Sequence, residues 1–251
     1  MSENLLNTPK ENFTFLQKTM AWSVHLFTAS GLVAGFMAIL AINEQAWRGA
    51  MLWLVVALVI DGIDGTFARI FRVKEVLPDM NGKTMDYIID FATYAIIPAY
   101  FFYQSELVDP TFRLPCTILI LLVSTLYYSK EGMVSDDYYF IGFPVLWNMV
   151  VFYLLFVFDF SSFGNILFIV FFAILHFIPI KFVYPSRVKH FKRLTIAVTT
   201  ILILDFGIIL WFYPEKYFWL TLVAILAAVY YGVMAIYNTW FEEEAKTSAR
   251  L

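Results

Sequence analysis

The chain has 251 residues, 61% of them hydrophobic, 20% aromatic and only 15% charged, with a mean hydropathy of +0.73 and a formal net charge of −3. That usage excludes an ordinary soluble domain, so the chain reads as a polytopic membrane protein with no nucleic-acid partner expected. A single cysteine, Cys116, excludes an internal disulfide and any multi-cysteine metal site.

In chain order, the segment Thr8-Pro9-Lys10 to Lys18 joins an N-cap residue and a first-turn proline to mixed apolar and charged residues. It predicts a short interfacial helix within residues 1–19. Apolar runs follow at about 20–42, 47–70, 83–103, 115–128, 146–160, 164–178, 194–213 and 217–238. The expected fold is therefore all-α: one bundle of about eight transmembrane helices. No linker, repeat or low-complexity stretch divides it, so residues 1–251 are taken as one domain.

Lys and Arg fix the expected orientation. With the N-terminus inside, the opposite face keeps only Arg48, Arg113 and Lys216 of the 17 Lys and Arg residues. The bias puts both termini on the cytoplasmic side, together with the polar seam from Asp61 to Asp90. Lys181, Arg187, Lys189, Lys192 and Arg193 crowd one cytoplasmic connection, where attraction to anionic headgroups is their first role.

That seam carries the chemistry. Asp61, Asp64, Gly65, Ala68 and Arg69 fall within an arc of about 140° of one helix. Gly82, Asp86 and Asp90 recur at i, i+4 and i+8 along the next span. An acid at membrane depth costs about 2.5 to 3.5 kcal/mol on insertion scales, so four of them require a counter-charge. Hard oxygen ligands without cysteine or neighbouring histidine point to Mg²⁺, Mn²⁺ or Ca²⁺, and such ions serve phosphoryl transfer. Gly65, Ala68 and Gly82 leave room for a ligand to approach, and Arg69 has the register of a phosphate-binding side chain. A cation transporter would also use intramembrane acids, but the carboxylates occupy only one half of the chain, without a matching set.

The pattern Asp61-x-x-Asp64-Gly65-x-x-Ala68-Arg69, then Gly82-x-x-x-Asp86-x-x-x-Asp90, resembles the CDP-alcohol phosphatidyltransferases. These membrane enzymes move a phosphatidyl group from CDP-diacylglycerol to an alcohol and release CMP. The stretch between Arg69 and Gly82 is twelve residues, longer than in most of the family. In this it resembles the bacterial phosphatidylcholine synthases, whose acceptor is choline. The stretches Ala21 to Gly31 and Asp137 to Asn148 agree with that branch.

The resemblance implies two ions, Mn²⁺ or Mg²⁺, on Asp61, Asp64, Asp86 and Asp90, with Asp90 as general base. It also implies a CDP-diacylglycerol site formed by Asp61, Gly65, Ala68, Arg69 and Gly82. Further implied are a homodimer surrounded by membrane lipids and a place in the bacterial inner membrane. Serine, inositol or glycerol phosphate are the other acceptors such an enzyme could use.

A quaternary ammonium is best held by aromatic faces. Tyr94 lies one turn beyond Asp90, and the resemblance adds Tyr138, Tyr139 and Trp147 as choline-binding residues. His25 reads as a helix-packing residue. Thr28 and Ser30 are placed to touch the cytidine.

Overall fold

The computed structural model describes residues 13–135, 137, 139–185 and 191–248. α1 spans Phe15–Asn43. Thr14 caps it reciprocally: the Gln17 amide donates to Thr14 Oγ1 at 3.3 Å, and the Thr14 amide donates to Gln17 Oε1 at 2.8 Å. Residues 1–12 of the expected interfacial segment lie outside the described residues, and 15–19 form the first turns of α1 itself.

α2, Trp47–Ile70, returns antiparallel along α1. Small residues let helices approach closely here: Gly31, Ala34, Gly35 and Ala38 form a buried face of α1. A methyl group at Gly35 would stand 2.7 Å from Ile97 Cδ1, so this face is set by close packing.

The long stretch after Arg69 builds α3, Val73–Val76, entered through Arg72 in the left-handed region. Val73 and Val76 pack against Ala21 and Val24 of α1. α4, Gly82–Asp90, starts at Asn81, whose side chain accepts the Thr84 amide at 3.1 Å. It runs without a break through a π-helical segment, Phe91–Ile96, into α5, Ile97–Gln104. Pro98 explains the widened turn: it offers no amide, and its ring opposes the carbonyl of Tyr94 four residues back.

α6 covers Pro110–Tyr128 and α7 covers Trp147–Phe152, followed by a second π-helical segment, Tyr153–Val157. α8 is Ser162–Leu175, capped by Ser161. β1, Tyr139–Ile141, pairs antiparallel with β2, Lys181–Val183, in the register Tyr139 with Val183. α9, Lys192–Phe212, lies beside α10, Phe218–Ser248, and two hydroxyl pairs join them: Thr195 with Tyr230 at 2.7 Å and Thr199 with Tyr231 at 2.6 Å.

The core sits where α5, α6 and α7 meet, with Phe101, Phe102, Trp147, Phe152 and Phe156 wholly enclosed. Outward-facing Leu26, Leu122, Ile203 and Val229 are exposed. A surface this apolar requires lipid as its solvent. Among the described residues five helices, Phe15–Asn43, Trp47–Ile70, Pro110–Tyr128, Lys192–Phe212 and Phe218–Phe241, are long and apolar enough to cross a membrane. Of the other expected spans, 83–103 falls on the continuous run of α4, the π-helical segment and α5, and 146–160 and 164–178 fall on the shorter helices Trp147–Val157 and Ser162–Leu175.

Gly142 tests the packing between the small sheet and α8. Its φ is +88°, and a methyl group there would lie 2.0 Å from the His176 carbonyl oxygen. Gly142→Ala therefore destabilises the fold by more than about 3 kcal/mol, through both backbone strain and overlap with main chain. Thermal unfolding in detergent measures it; a melting temperature like the parent's would show that the turn yields.

Candidate active site

The acids come together at the meeting of α2 with the helix that begins at α4. Oxygens of Asp61, Asp86 and Asp90 all lie within 4.8 Å of one another, each carboxylate partly buried. Asp61 comes from α2, while Asp86 and Asp90 stand one turn apart on α4, so the i, i+4 spacing brings both to one side. Tyr94, in the π-helical turn beyond Asp90, donates its hydroxyl to Asp61 Oδ2 at 2.7 Å. That bond ties the two helices together across the acids and fixes the orientation of one carboxylate.

Asp64 stands apart from this triad. It is only 7% exposed, and Thr28 of α1 interacts with it. Thr28 thus meets a motif carboxylate, and α1 supplies one wall of the site. His25, one turn earlier, is buried with its ring edge against Trp22. A methyl group at Gly82 would lie 3.4 Å from His25 Cε1, so the glycine lets α1 and α4 close at this point.

Gly65 keeps open space: among the described residues an added methyl would meet Arg69 Nη1, at 3.5 Å, and no neighbouring element. Arg69 is exposed and donates to Thr66 Oγ1 at 3.0 Å, one turn back on its own helix. Ala68 is half-buried and packs toward Val73 and Val76 of α3. The expected nucleotide-lipid residues thus divide between an open floor, Gly65 with Arg69, and packing positions, Ala68 and Gly82.

Two like charges 4 Å apart repel by about 4 kcal/mol at the effective dielectric of a protein surface, so three ionised acids this close need a cation. The donor set fits a hard divalent ion: three carboxylates, no sulfur or imidazole among them, and one oxygen, Asp90 Oδ1, buried without a hydrogen-bond partner among the described residues. A buried oxygen left without a hydrogen bond calls for an explanation, and beside two further carboxylates a bound cation or a proton supplies one.

The residues expected to meet choline lie in different surroundings. Tyr94 is buried and engaged with Asp61. Trp147 is fully buried; its Nε1–H donates to Ser124 Oγ at 2.8 Å, and its ring stacks on His176 at 5.2 Å. Tyr139 is buried in β1, and Tyr138 lies outside the described residues. Two rings that the sequence did not single out, Tyr87 and Phe91, follow Asp86 and Asp90 by one residue each and keep the same i, i+4 spacing. Tyr128, at the end of α6, meets both.

No protein-family model matches the chain. Curated proteins do. The chain is 40% identical over 210 residues to a phosphatidylcholine synthase of Agrobacterium fabrum, covering 84% of this chain and 87% of that one. It is 36% identical over 231 residues to a phosphatidylcholine synthase of Pseudomonas aeruginosa, covering 87% and 94%. A Borreliella burgdorferi protein of the same name is 40% identical over 187 residues, covering 74% and 80%. At these identities, over most of both sequences, the chain belongs to the phosphatidylcholine synthase family.

Proposed function

We propose that this protein transfers the phosphatidyl group of CDP-diacylglycerol to choline, giving phosphatidylcholine and CMP in phospholipid biosynthesis. The observation that carries the chemistry is the Asp61, Asp86 and Asp90 triad at the junction of α2 and α4, its oxygens within 4.8 Å. The kinship with phosphatidylcholine synthases supplies the acceptor.

Asp90 acts on the acceptor. Its unpartnered Oδ1 takes the choline hydroxyl proton as the oxygen forms a bond to the phosphorus bearing diacylglycerol. The bond from that phosphorus to the CMP oxygen breaks, and CMP leaves with the electron pair. Gly65 gives the nucleotide lipid space beside α2, Arg69 swings from Thr66 to its phosphates, and Gly82 keeps α4 close to α1. Two divalent ions, Mg²⁺ or Mn²⁺, would be held by Asp61, Asp86 and Asp90 with Asp64 beside them, and would neutralise the pyrophosphate charge. Tyr94 supports the acceptor side of this reading through its bond to Asp61, and Tyr139 and Trp147 are kept as supporting residues.

In the membrane the reading extends to eight crossings, both termini and the site facing the cytoplasm, and a homodimer in the bacterial inner membrane. The bias of Lys and Arg supports the orientation.

Purified protein supplied with CDP-diacylglycerol, Mn²⁺ or Mg²⁺ and labelled choline is expected to release CMP and phosphatidylcholine in equal amounts. Preferred transfer to serine, inositol or glycerol phosphate would overturn the choline assignment. CMP release that needs no acceptor would overturn the transfer itself. Within the site, Tyr94→Phe removes the bond that orients Asp61 and is expected to raise the metal half-saturation concentration about 10- to 100-fold. Titration of activity with Mn²⁺ measures it, and an unchanged midpoint would detach Tyr94 from the metal ligands.

A further inference from the structure

We propose that Tyr87, Phe91 and Tyr128 form the aromatic face that holds the quaternary ammonium of choline beside Asp90. This rests on the choline-transfer reading above and specifies the acceptor half of the site.

Choline sets the geometry. Only two carbons separate its hydroxyl from its nitrogen, so a hydroxyl at Asp90 places the ammonium against side chains bordering Asp90. That nitrogen carries three methyl groups and cannot donate a hydrogen bond; ring faces and nearby negative charge are what can hold it.

Phe91 is the residue after Asp90, and Tyr87 lies one turn before it on the same side of the helix. Tyr128 reaches in from α6 and meets both edge-on, with centroids 6.2 Å from Tyr87 and 5.6 Å from Phe91. Tyr128 also lies within electrostatic range of Asp90, Asp61 and Asp86, so the ring cluster and the carboxylates share one site.

Access separates these rings from the other candidates. Tyr87 is 36% exposed, and Phe91 and Tyr128 are partly buried, whereas Trp147 is fully covered, with His176 stacked on its ring. Tyr87 already receives a cation: Lys83 Nζ stands 5.3 Å from the centre of its ring. The π-helical turn opens directly after Asp90, and within it Phe91 meets Tyr128 while Tyr94 donates to Asp61.

Full-length protein in detergent, with saturating CDP-diacylglycerol and Mn²⁺, tests this with two acceptors: choline and its uncharged isostere 3,3-dimethylbutan-1-ol. The parent is expected to favour choline. Tyr128→Ala and Phe91→Ala raise the choline KM about 3- to 30-fold, leave the CDP-diacylglycerol KM within about twofold, and bring the two acceptors toward equal kcat/KM. Phe91→Tyr, which keeps a ring, retains the preference. Tyr87→Ala, at an exposed position, makes the same test should either of the other truncations fail to fold.

A preference for choline unchanged in all three alanine variants would overturn the aromatic face while leaving the transfer reaction standing. A purely structural role would lower turnover with both acceptors equally, and that outcome also overturns it. If the parent transferred nothing to choline, the choline reading would fall first and this assignment with it.

Discussion

Asp90→Asn is expected to lower kcat by about 10²- to 10⁴-fold, the contribution typical of a positioned general base. The amide keeps the volume and shape of the carboxylate, so helix packing around the site persists. It cannot accept the choline proton, and the unpartnered Oδ1 loses its charge. In the proposed site Gly65, Arg69 and the ions that Asp61 and Asp86 would still hold carry the donor, so its binding is expected to stay within about threefold and the loss to fall on kcat and not on the CDP-diacylglycerol KM. Single-turnover CMP release, read beside binding of a non-transferable CDP-lipid, separates the two. Near-normal turnover would remove Asp90 from the base role, and equal losses in binding and turnover would make it a donor ligand.

The motif was legible because helical periodicity is local. Asp61 and Asp64, then Asp86 and Asp90, needed only 100° per residue to be placed on helix faces, and two such faces meet in the fold. The long stretch after Arg69 was visible as a length. Its structure, α3 folded back on α1, depends on Val73 and Val76 finding Ala21 and Val24, a contact that no window of sequence contains.

Tyr94 shows the same limit at one residue. Its position one turn past Asp90 could be counted, but its hydrogen bond goes to Asp61, 33 residues away on another helix. Trp147 enters the choline set by resemblance; its surroundings, the bond to Ser124 and the stacked His176, come from distant segments that its own stretch does not contain. The paired strands of three residues each are too short to display a period of two. The apolar runs located the helices well, since hydropathy reports length and lipid exposure directly. Whether the shorter segments cross depends on tilt and neighbours, which hydropathy does not contain.

Removing divalent metal with a chelator is expected to abolish transfer, and Mn²⁺ or Mg²⁺ to restore it. Asp86→Asn raises the metal half-saturation concentration by at least about tenfold, because ligand charge holds a hard cation. Stability gives an independent readout with the opposite sign. Without metal, Asp61, Asp86 and Asp90 crowd their carboxylates within 4.8 Å, and neutralising the middle acid relieves repulsion. Metal-free Asp86→Asn is therefore expected to melt above the metal-free parent, by about 2–4 °C for each kcal/mol relieved in a chain of this size. With saturating Mn²⁺ the order reverses, since the parent binds the ion more tightly and gains more from it. Differential scanning fluorimetry with chelator and with Mn²⁺ reads both halves. A variant that melts below the parent under both conditions would mean that Asp86 supports packing, and the metal site on these three acids would have to be abandoned.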